Sequence, residues 1–251
     1  MSGRIAASGN CNAIWNYQDL NTPLKKYCGF RMFRDCTSLV TAPELPATTL
    51  AMDCYGYMFF DCNSLTTAPN LPATTLYESC YYYMFYGCTS LTTAPNLPAT
   101  TLDDFCYSNM FYNCTSLTAA PKLPATMLAD YCYDYMFYGC NSLTTAPELP
   151  ATVLAVRCYS YMFYNCISLT TIPELPATIL VEGCYSHMFK GCTKLNYITC
   201  SATDISAASC TFDWVNGVSS TGTFVKHSDM NDWTTGVNGI PSGWIVGILR
   251  T

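Results

Sequence analysis

The sequence predicts an α/β solenoid, in which short parallel strands and short helices stack along one axis between an N-terminal and a C-terminal cap. Pairs of cysteines eight residues apart recur with a step of 26 residues, without insertion or deletion. Each repeat contains an apolar run at helical spacing, followed by a threonine- and proline-rich segment. A unit this short cannot bury its own apolar face, whereas stacked copies can, so the repeat indicates a solenoid.

The repeating unit is C-Y-x-x-M-F-x-x-C-T-S-L-T-T-A-P-x-L-P-A-T-x-L-x-x-x, and its positions are numbered from the first cysteine as position 0. The first cysteines are Cys28, Cys54, Cys80, Cys106, Cys132, Cys158 and Cys184. The second cysteines, at position 8, are Cys36, Cys62, Cys88, Cys114, Cys140, Cys166 and Cys192. These copies predict seven coils over residues 28–199.

Positions 0 to 8 predict a short amphipathic helix. In one copy the apolar positions hold Cys80, Tyr81, Met84, Phe85 and Cys88, which fall on one helical face. Position 7 is always Gly, Asn or Asp, the residues that best tolerate the left-handed conformation at a helix end. We therefore expect each helix to turn this face inward and to end at position 7.

The S-L-T-T-A-P-x-L-P half of the unit predicts about four residues of parallel strand and then a proline-framed turn. Threonine suits a strand, but proline lacks the N–H group that a strand ladder needs, so the strand must be short. Leu39, Ala42 and Leu45, with their copies, are expected to point inward.

An open solenoid needs a cap at each end, and residues 1–27 fit the first one. Ile14 and Trp15 fall about where a preceding coil would place inward residues. Cys11 lies one residue out of register.

Residues 200–251 are predicted to form the C-terminal cap, because the repeat decays after Cys192. Residues 223–226 and 244–249 are predicted strands. Three tryptophans are predicted as its large apolar plugs: Trp214, Trp233 and Trp244.

Charge and hydropathy exclude several kinds of partner. Only 11% of the 251 residues are charged, the net charge is −6, and no cluster of Lys and Arg occurs. Nucleic acid and anionic membranes need a basic face, so neither is an expected partner. No apolar run approaches the ~18 residues of a membrane span. The first residues lack the apolar region of a secretion leader, so a leader would have to lie outside this chain.

The cysteines predict neither a metal site nor a cofactor site. Zinc needs four converging ligands, whereas each pair here shares the buried face of one short segment. Two positions eight apart on a helix lie about 12 Å apart, too far for a disulfide. Equivalent cysteines of neighbouring coils are near enough to bridge, but seven in a ladder leave one unpaired. We expect reduced thiols that fill the core, with Cys200 and Cys210, outside the repeats, as the better disulfide candidates.

Candidate catalytic residues are few, and we expect no enzyme activity. His187 occupies position 3, where other copies hold Arg, Tyr or Asn, so the position predicts a surface residue. His227 precedes a serine and an aspartate, but adjacency in sequence is not the geometry of a catalytic triad. Asp103 and Asp104 lie in a variable slot and indicate a solvated helix start.

Tyrosines at positions 3 and 6 form the candidate binding site, because these positions face away from the core on the convex side. The predicted residues are Tyr57, Phe60, Tyr83, Tyr86, Tyr112, Tyr135, Tyr138, Tyr161 and Tyr164. The terminal repeats carry Arg or His with Lys there, which predicts basic ends. In the alternative interpretation the rings pack on one another between coils and only cover the surface.

The core M-F-Y-G-C-T-S-L-T-T, as at residues 84–93, and its 26-residue recurrence resemble the BspA-like leucine-rich repeats and the related 26-residue repeats of Bacteroides-type surface proteins. This resemblance implies a leucine-rich-repeat solenoid of a cell-surface or secreted protein. Members are linked to adhesion to host matrix, host cells or other bacteria. The chain departs from the family in its A-P-x-L-P segment and in the cysteine at position 0.

These observations together predict a non-enzymatic adhesion module, located at the cell surface or secreted, that recognises a protein or a glycan. The alternative is a structural or receptor-binding module of a phage tail or surface fibre, which would place the chain in a virion.

Overall fold

The computed structural model describes residues 4–15, 23–231 and 233–249. Regular elements occur near the two ends of the described chain. They are β1 (Ile5–Ala6), α1 (Asn12–Trp15), β2 (Leu39–Thr41), β3 (Tyr197–Cys200), β4 (Thr223–Lys226) and β5 (Ile245–Ile248). β1 pairs with β2, while β3, β4 and β5 form a three-stranded sheet, and every pairing is parallel, as a solenoid requires.

Between β2 and β3 the repeats stack in register through single parallel bridges rather than full strands. The bridges at position 13 join Thr41 to Thr67, Thr67 to Thr93, Thr93 to Ala119, and Thr145 to Thr171. The proline two residues further on has no N–H group, which limits how far the ladder extends. The predicted strands of about four residues are therefore reduced to bridges in the middle of the array.

The predicted helix at positions 0 to 8 is wrong: α1 is the one α-helix of the described residues, and each repeat has a chain of β-turns instead. At even positions the N–H group donates to the carbonyl three residues back, as Met84 does to Tyr81 at 3.2 Å. At odd positions it donates to the next coil, as Phe85 does to Met110 at 2.9 Å. Half of the hydrogen bonds that a helix would keep within itself thus join neighbouring coils.

A left-handed residue at every fourth position explains why no helix forms, because an α-helix needs φ near −63° throughout. Positions −1, 3 and 7 all have positive φ. The position-3 residues are Arg31, Tyr57, Tyr83, Asn109, Tyr135, Tyr161, His187 and Asp213, with φ between 53° and 59°. Each is the third residue of a turn, which matches a type II β-turn. The left-handed conformation predicted at position 7 is confirmed.

Identical positions stack on one another to form the core. The position-5 phenylalanines stack from coil to coil, with ring centroids 5.5 Å apart for Phe59 and Phe85. The Met84 and Cys88 columns beside them are fully buried, and so are the leucines at positions 11 and 17. Each position-8 thiol also donates to a phenylalanine carbonyl of the preceding coil, as Cys114 does to Phe85 at 3.1 Å.

All 17 cysteines are free, and all but Cys28 and Cys36 are buried, so the reduced core ladder is confirmed. The disulfide expected between Cys200 and Cys210 is absent, because the two belong to different columns. Cys200 pairs with Leu175 and continues the leucine column of position 17. Cys11 caps the same column at the other end, and its N–H donates to the carbonyl of Glu44.

The turn pattern continues beyond residue 199, where the sequence interpretation placed the end of the solenoid. Cys210 takes position 0 of a further set of turns, 26 residues after the last predicted first cysteine. Asp213 and Gly217 have the left-handed φ of positions 3 and 7. The segment before these turns is one residue shorter at the level of Cys200, and Trp214 stands where earlier copies have methionine, which hides the copy from a search for the repeat.

The caps are partly as predicted. Ile14 is 63% exposed, so its predicted inward direction is wrong. Residues 16–22 and the side chain of Trp15 lie outside the described residues. At the C-terminus β4 has the predicted bounds and β5 lies within the predicted segment. Trp214 is fully buried and stacks on Trp233, with centroids 5.5 Å apart.

Candidate binding surface: an aromatic ribbon and its gap

Two columns of stacked rings cover one side of the array, and we call them together the aromatic ribbon (positions 3 and 6 of the coils). All nine predicted residues lie in it, each half-buried with part of its side chain open to solvent. The position-6 column is continuous over five rings. Its centroid distances are 4.4 Å for Phe60–Tyr86, 4.6 Å for Tyr86–Tyr112, 4.3 Å for Tyr112–Tyr138 and 4.7 Å for Tyr138–Tyr164. The rings therefore pack on each other and still present an outer edge.

The position-3 column is interrupted. Tyr57 stacks on Tyr83 at 4.9 Å, and Tyr135 stacks on Tyr161 at 4.3 Å. Asn109 stands between these pairs and is buried, with its Nδ2 donating to the hydroxyl of Ser108 at 2.8 Å. One ring is thus missing from an otherwise periodic stack.

The two ends of the ribbon differ in charge, which corrects the prediction of two basic ends. At the first end the guanidinium groups of Arg31 and Arg34 lie 5.0 Å and 4.7 Å from the ring centroids of Tyr57 and Phe60. At the other end the Lys190 ammonium pairs with Asp213 at 2.6 Å. Asp213 belongs to the further set of turns that the sequence interpretation missed, and its carboxylate offsets the charge of that end.

The missing ring opens a depression of about 610 Å³ in the ribbon, which we call the slot. Tyr83 and Tyr135 bound it along the array, and Tyr112 lies beside it. Asn109 and Asp134 contribute its polar groups. Aromatic walls with a few convergent polar groups are typical of a ligand site.

Asp134 is the functional candidate that sequence reasoning missed. Its Oδ1 atom is buried and has no hydrogen-bond partner among the described residues. Burial raises the pKa of this carboxyl to about 7, against a hydrogen bond from Ser160 and the positive charge of Arg157. Alignment of position 2 across the copies would have found the signal, since the other copies hold Phe, Gly, Tyr or Ser and none of them a charge.

The candidate catalytic groups are not assembled into an open site. The Ser186 hydroxyl lies 2.9 Å from His187 Nδ1, and Asp213 lies 3.6 Å from His187 Nε2. However, Ser186 is buried, the His187 ring is stacked on Tyr161 at 4.2 Å, and Asp213 is held by a lysine. In the described part of the chain no group of His, Cys, Asp and Glu residues could hold a metal ion.

His227 and the Asp103–Asp104 pair lie away from the slot. His227 Nδ1 is 3.8 Å from the carboxylate of Asp229, whose side chain is 77% exposed. Asp103 accepts a hydrogen bond from the N–H group of Asp104, whose own carboxylate accepts one from Asp130. These contacts are local links between turns and coils.

Comparisons with known proteins address the fold. A leucine-rich repeat protein of T. pallidum, known from a crystal structure, is similar to this chain with 18% sequence identity and a TM-score of 0.39. The similarity covers 75% of this chain and 73% of that chain. The search of curated proteins finds no match. Within the described residues no helix is long and apolar enough to cross a membrane.

The family is shown by the sequence pattern itself. The family model described as the BspA type leucine rich repeat region, with 6 copies, matches residues 16–143 and 105–220. These matches overlap and span most of the stacked turns described above. The chain belongs to the BspA-type leucine-rich repeat family.

Proposed function

We propose that this chain is a non-enzymatic interaction module that binds a protein or glycan partner through the aromatic ribbon. The carrying observation is the ribbon itself: half-buried rings with open edges run along five successive coils. Exposed aromatic strips of this extent are typical of binding surfaces, because a ring contributes a large contact area and loses little conformational entropy. The array proposed to carry it has eight coils, counting the turns that begin at Cys210.

Family membership supports an interaction role, and we propose a surface-exposed or secreted location with a partner on host or bacterial surfaces. Stacked repeats present extended faces for binding. The free, buried thiols place no requirement on the redox compartment, because fifteen of the 17 are shielded within the fold.

The experiment compares binding of three versions of the purified chain to a panel of extracellular-matrix proteins and to a glycan array. The versions are the natural chain, Tyr138→Ala/Tyr164→Ala in the ribbon, and the control Thr92→Ala/Thr93→Ala on the exposed strand side. We expect at least ten-fold weaker binding for the tyrosine variant and an unchanged threonine control. Equal binding by both variants, or binding to no member of either set, would contradict the proposal.

A second candidate function is a structural or receptor-binding module of a fibre, and the exposed edge of β5 favours it. β5 pairs only with β4 among the described strands, and Ile245 and Ile248 are 72% and 60% exposed. An open apolar edge can add a further strand. Concentration-dependent association that Ile245→Lys abolishes would support this alternative, and a chain that stays monomeric at high concentration would oppose it.

A further inference from the structure

We propose that the slot between Tyr83 and Tyr135 binds the guanidinium group of an arginine side chain of a protein partner, with the carboxylate of Asp134 as its counter-ion. This proposal rests on the proposed function and assigns the chemistry of one subsite within the ribbon. The argument has three parts: the shape of the slot, the charge at its floor, and the way the ribbon already treats arginine.

The shape of the slot fits one flat group. Neighbouring rings of the position-3 column stack 4.9 Å and 4.3 Å apart where the column is intact. With Asn109 in place of a ring, Tyr83 and Tyr135 are separated by two such intervals, about 9 Å. A planar group midway between them lies within ~6 Å of both ring centroids, the range of a cation–π contact. A guanidinium group is planar and stacks on aromatic faces, whereas an ammonium group is compact and does not.

The polar groups of the slot lack a cation. Asp134 Oδ1 has no hydrogen-bond partner, and no ion pair joins Asp134 to a basic side chain among the described residues. Arg157 acts on this carboxyl only through its charge. A buried carboxylate oxygen without a partner costs free energy that a charge-assisted hydrogen bond recovers.

The carboxylate also faces the walls of the slot. The pKa values of Tyr82, Tyr83 and Tyr135 are raised, first by burial, and the negative charge of Asp134 adds to the effect in each case. A ligand cation would therefore lie near a carboxylate that is oriented toward the same space as the ring faces. Net charge of −6 for the whole chain favours approach of a basic partner over an acidic one.

The ribbon supplies its own precedent for arginine. Arg31 occupies position 3 in the first coil, and its guanidinium lies 5.0 Å from the Tyr57 ring and 4.9 Å from the Phe30 ring. The same column that lacks a ring at Asn109 is thus ended by a guanidinium group stacked on a tyrosine. A partner's arginine in the slot would repeat this contact with a ring on each side.

The test measures binding of short peptides directly and needs no macromolecular partner. The probes are the capped peptide Ala-Ala-Arg-Ala-Ala and its lysine and citrulline analogues, followed by calorimetry or ligand-observed NMR. Citrulline keeps the planar shape and removes the charge. We expect the arginine peptide to bind with a Kd of about 1 mM or tighter, and both analogues to bind at least ten-fold more weakly.

Three variants locate the binding. Asn109→Tyr restores the missing ring and should abolish binding, while Asp134→Asn should weaken it at least ten-fold at pH 8. The control Glu148→Gln removes an exposed carboxylate outside the slot and should change nothing. Equal affinity for arginine and citrulline, or full binding by Asn109→Tyr, would overturn the proposal. Monosaccharides that bind where arginine does not would show a sugar site instead.

The two proposals can fail separately. If the tyrosine double variant loses its macromolecular partner but the arginine peptide never binds, the ribbon is the interface and the guanidinium assignment is wrong. If the peptide binds the slot but no variant affects binding to matrix proteins or glycans, the slot is real and the proposed adhesion surface is wrong.

Discussion

Replacement of Asp134 by asparagine should stabilise the protein in a pH-dependent way. The native pKa of this carboxyl is raised from 3.8 to about 7, chiefly by burial. As pH rises above 3.8 the unfolded chain releases the proton first, so the natural protein loses stability until the native carboxyl also ionises near pH 7. The whole change is worth up to about 4 kcal/mol. Asparagine has no proton to release and can still accept the hydrogen bond from Ser160.

The assay is urea unfolding followed by circular dichroism at pH 4, 6 and 8. We expect Asp134→Asn and the natural chain to have nearly equal stability at pH 4. At pH 8 the variant should be more stable by a few kcal/mol, with an intermediate difference at pH 6. The control Glu148→Gln alters an exposed carboxyl and should show no such trend. A variant that is less stable at pH 8, or a difference that does not change with pH, would refute the reasoning about burial.

Three further predictions concern the scaffold. On the native protein iodoacetamide should label Cys36 and, more slowly, Cys28, and after unfolding it should label all 17 cysteines by mass spectrometry; rapid native labelling beyond these two would contradict the buried ladder. Ser79→Gly should raise the free energy of unfolding by about 1 kcal/mol because φ at Ser79 is 56°, whereas Ser90→Gly, at a residue without positive φ, should lower it. Trp214→Ala should cost about 3–5 kcal/mol, seen as early loss of the C-terminal coils to protease, because the ring is fully buried; unchanged resistance would show that the cap does not depend on it.

The stacking of this chain is predictable from sequence because the period is constant. A fixed step of 26 residues brings each side chain onto its own copies, so the buried columns of Met84, Phe85 and Cys88 follow without knowledge of the backbone. The aromatic ribbon follows for the same reason, since positions 3 and 6 are adjacent whether the segment is a helix or a series of turns.

The backbone itself was not predictable from the same pattern. Inward residues at positions 0, 1, 4, 5 and 8 fit an amphipathic helix, and they fit a turn chain with a four-residue period equally well. The choice depends on hydrogen bonds to the next coil, which local periodicity does not encode. The left-handed residues at positions −1 and 3 gave no warning, because residues such as Ser79 and Tyr83 rarely adopt positive φ.

Asp134 and the further set of turns escaped for different reasons. Asp134 is unremarkable in its own repeat, and its meaning appears only when position 2 is compared across the copies and the gap at Asn109 is placed beside it. The turns that begin at Cys210 were hidden because Cys200 pairs one residue earlier than the 26-residue step requires. Small changes of register near the end of an array thus conceal a coil that hydrogen bonding still completes.

The slot yields one more prediction, on stability rather than binding. Asn109→Tyr should add two ring contacts, to Tyr83 and Tyr135, each worth about 0.5–1.5 kcal/mol. It loses the hydrogen bond from Asn109 to Ser108, worth about 1 kcal/mol. The backbone needs no adjustment, because φ is 58° at Asn109 and 55° at both of these tyrosines. We therefore expect a net gain of about 1 kcal/mol at pH 5, measured by urea unfolding.

The gain should shrink at pH 8, where the new ring would further desolvate an ionised Asp134. A loss of stability at pH 5 would show that the space at Asn109 is not that of a missing ring. If the gain is found, the natural chain leaves out a stabilising ring beside a buried carboxylate that itself destabilises the fold near neutral pH. Two unfavourable choices at one place in an otherwise regular array are what a binding site is expected to require, because selection keeps such costs where function depends on them.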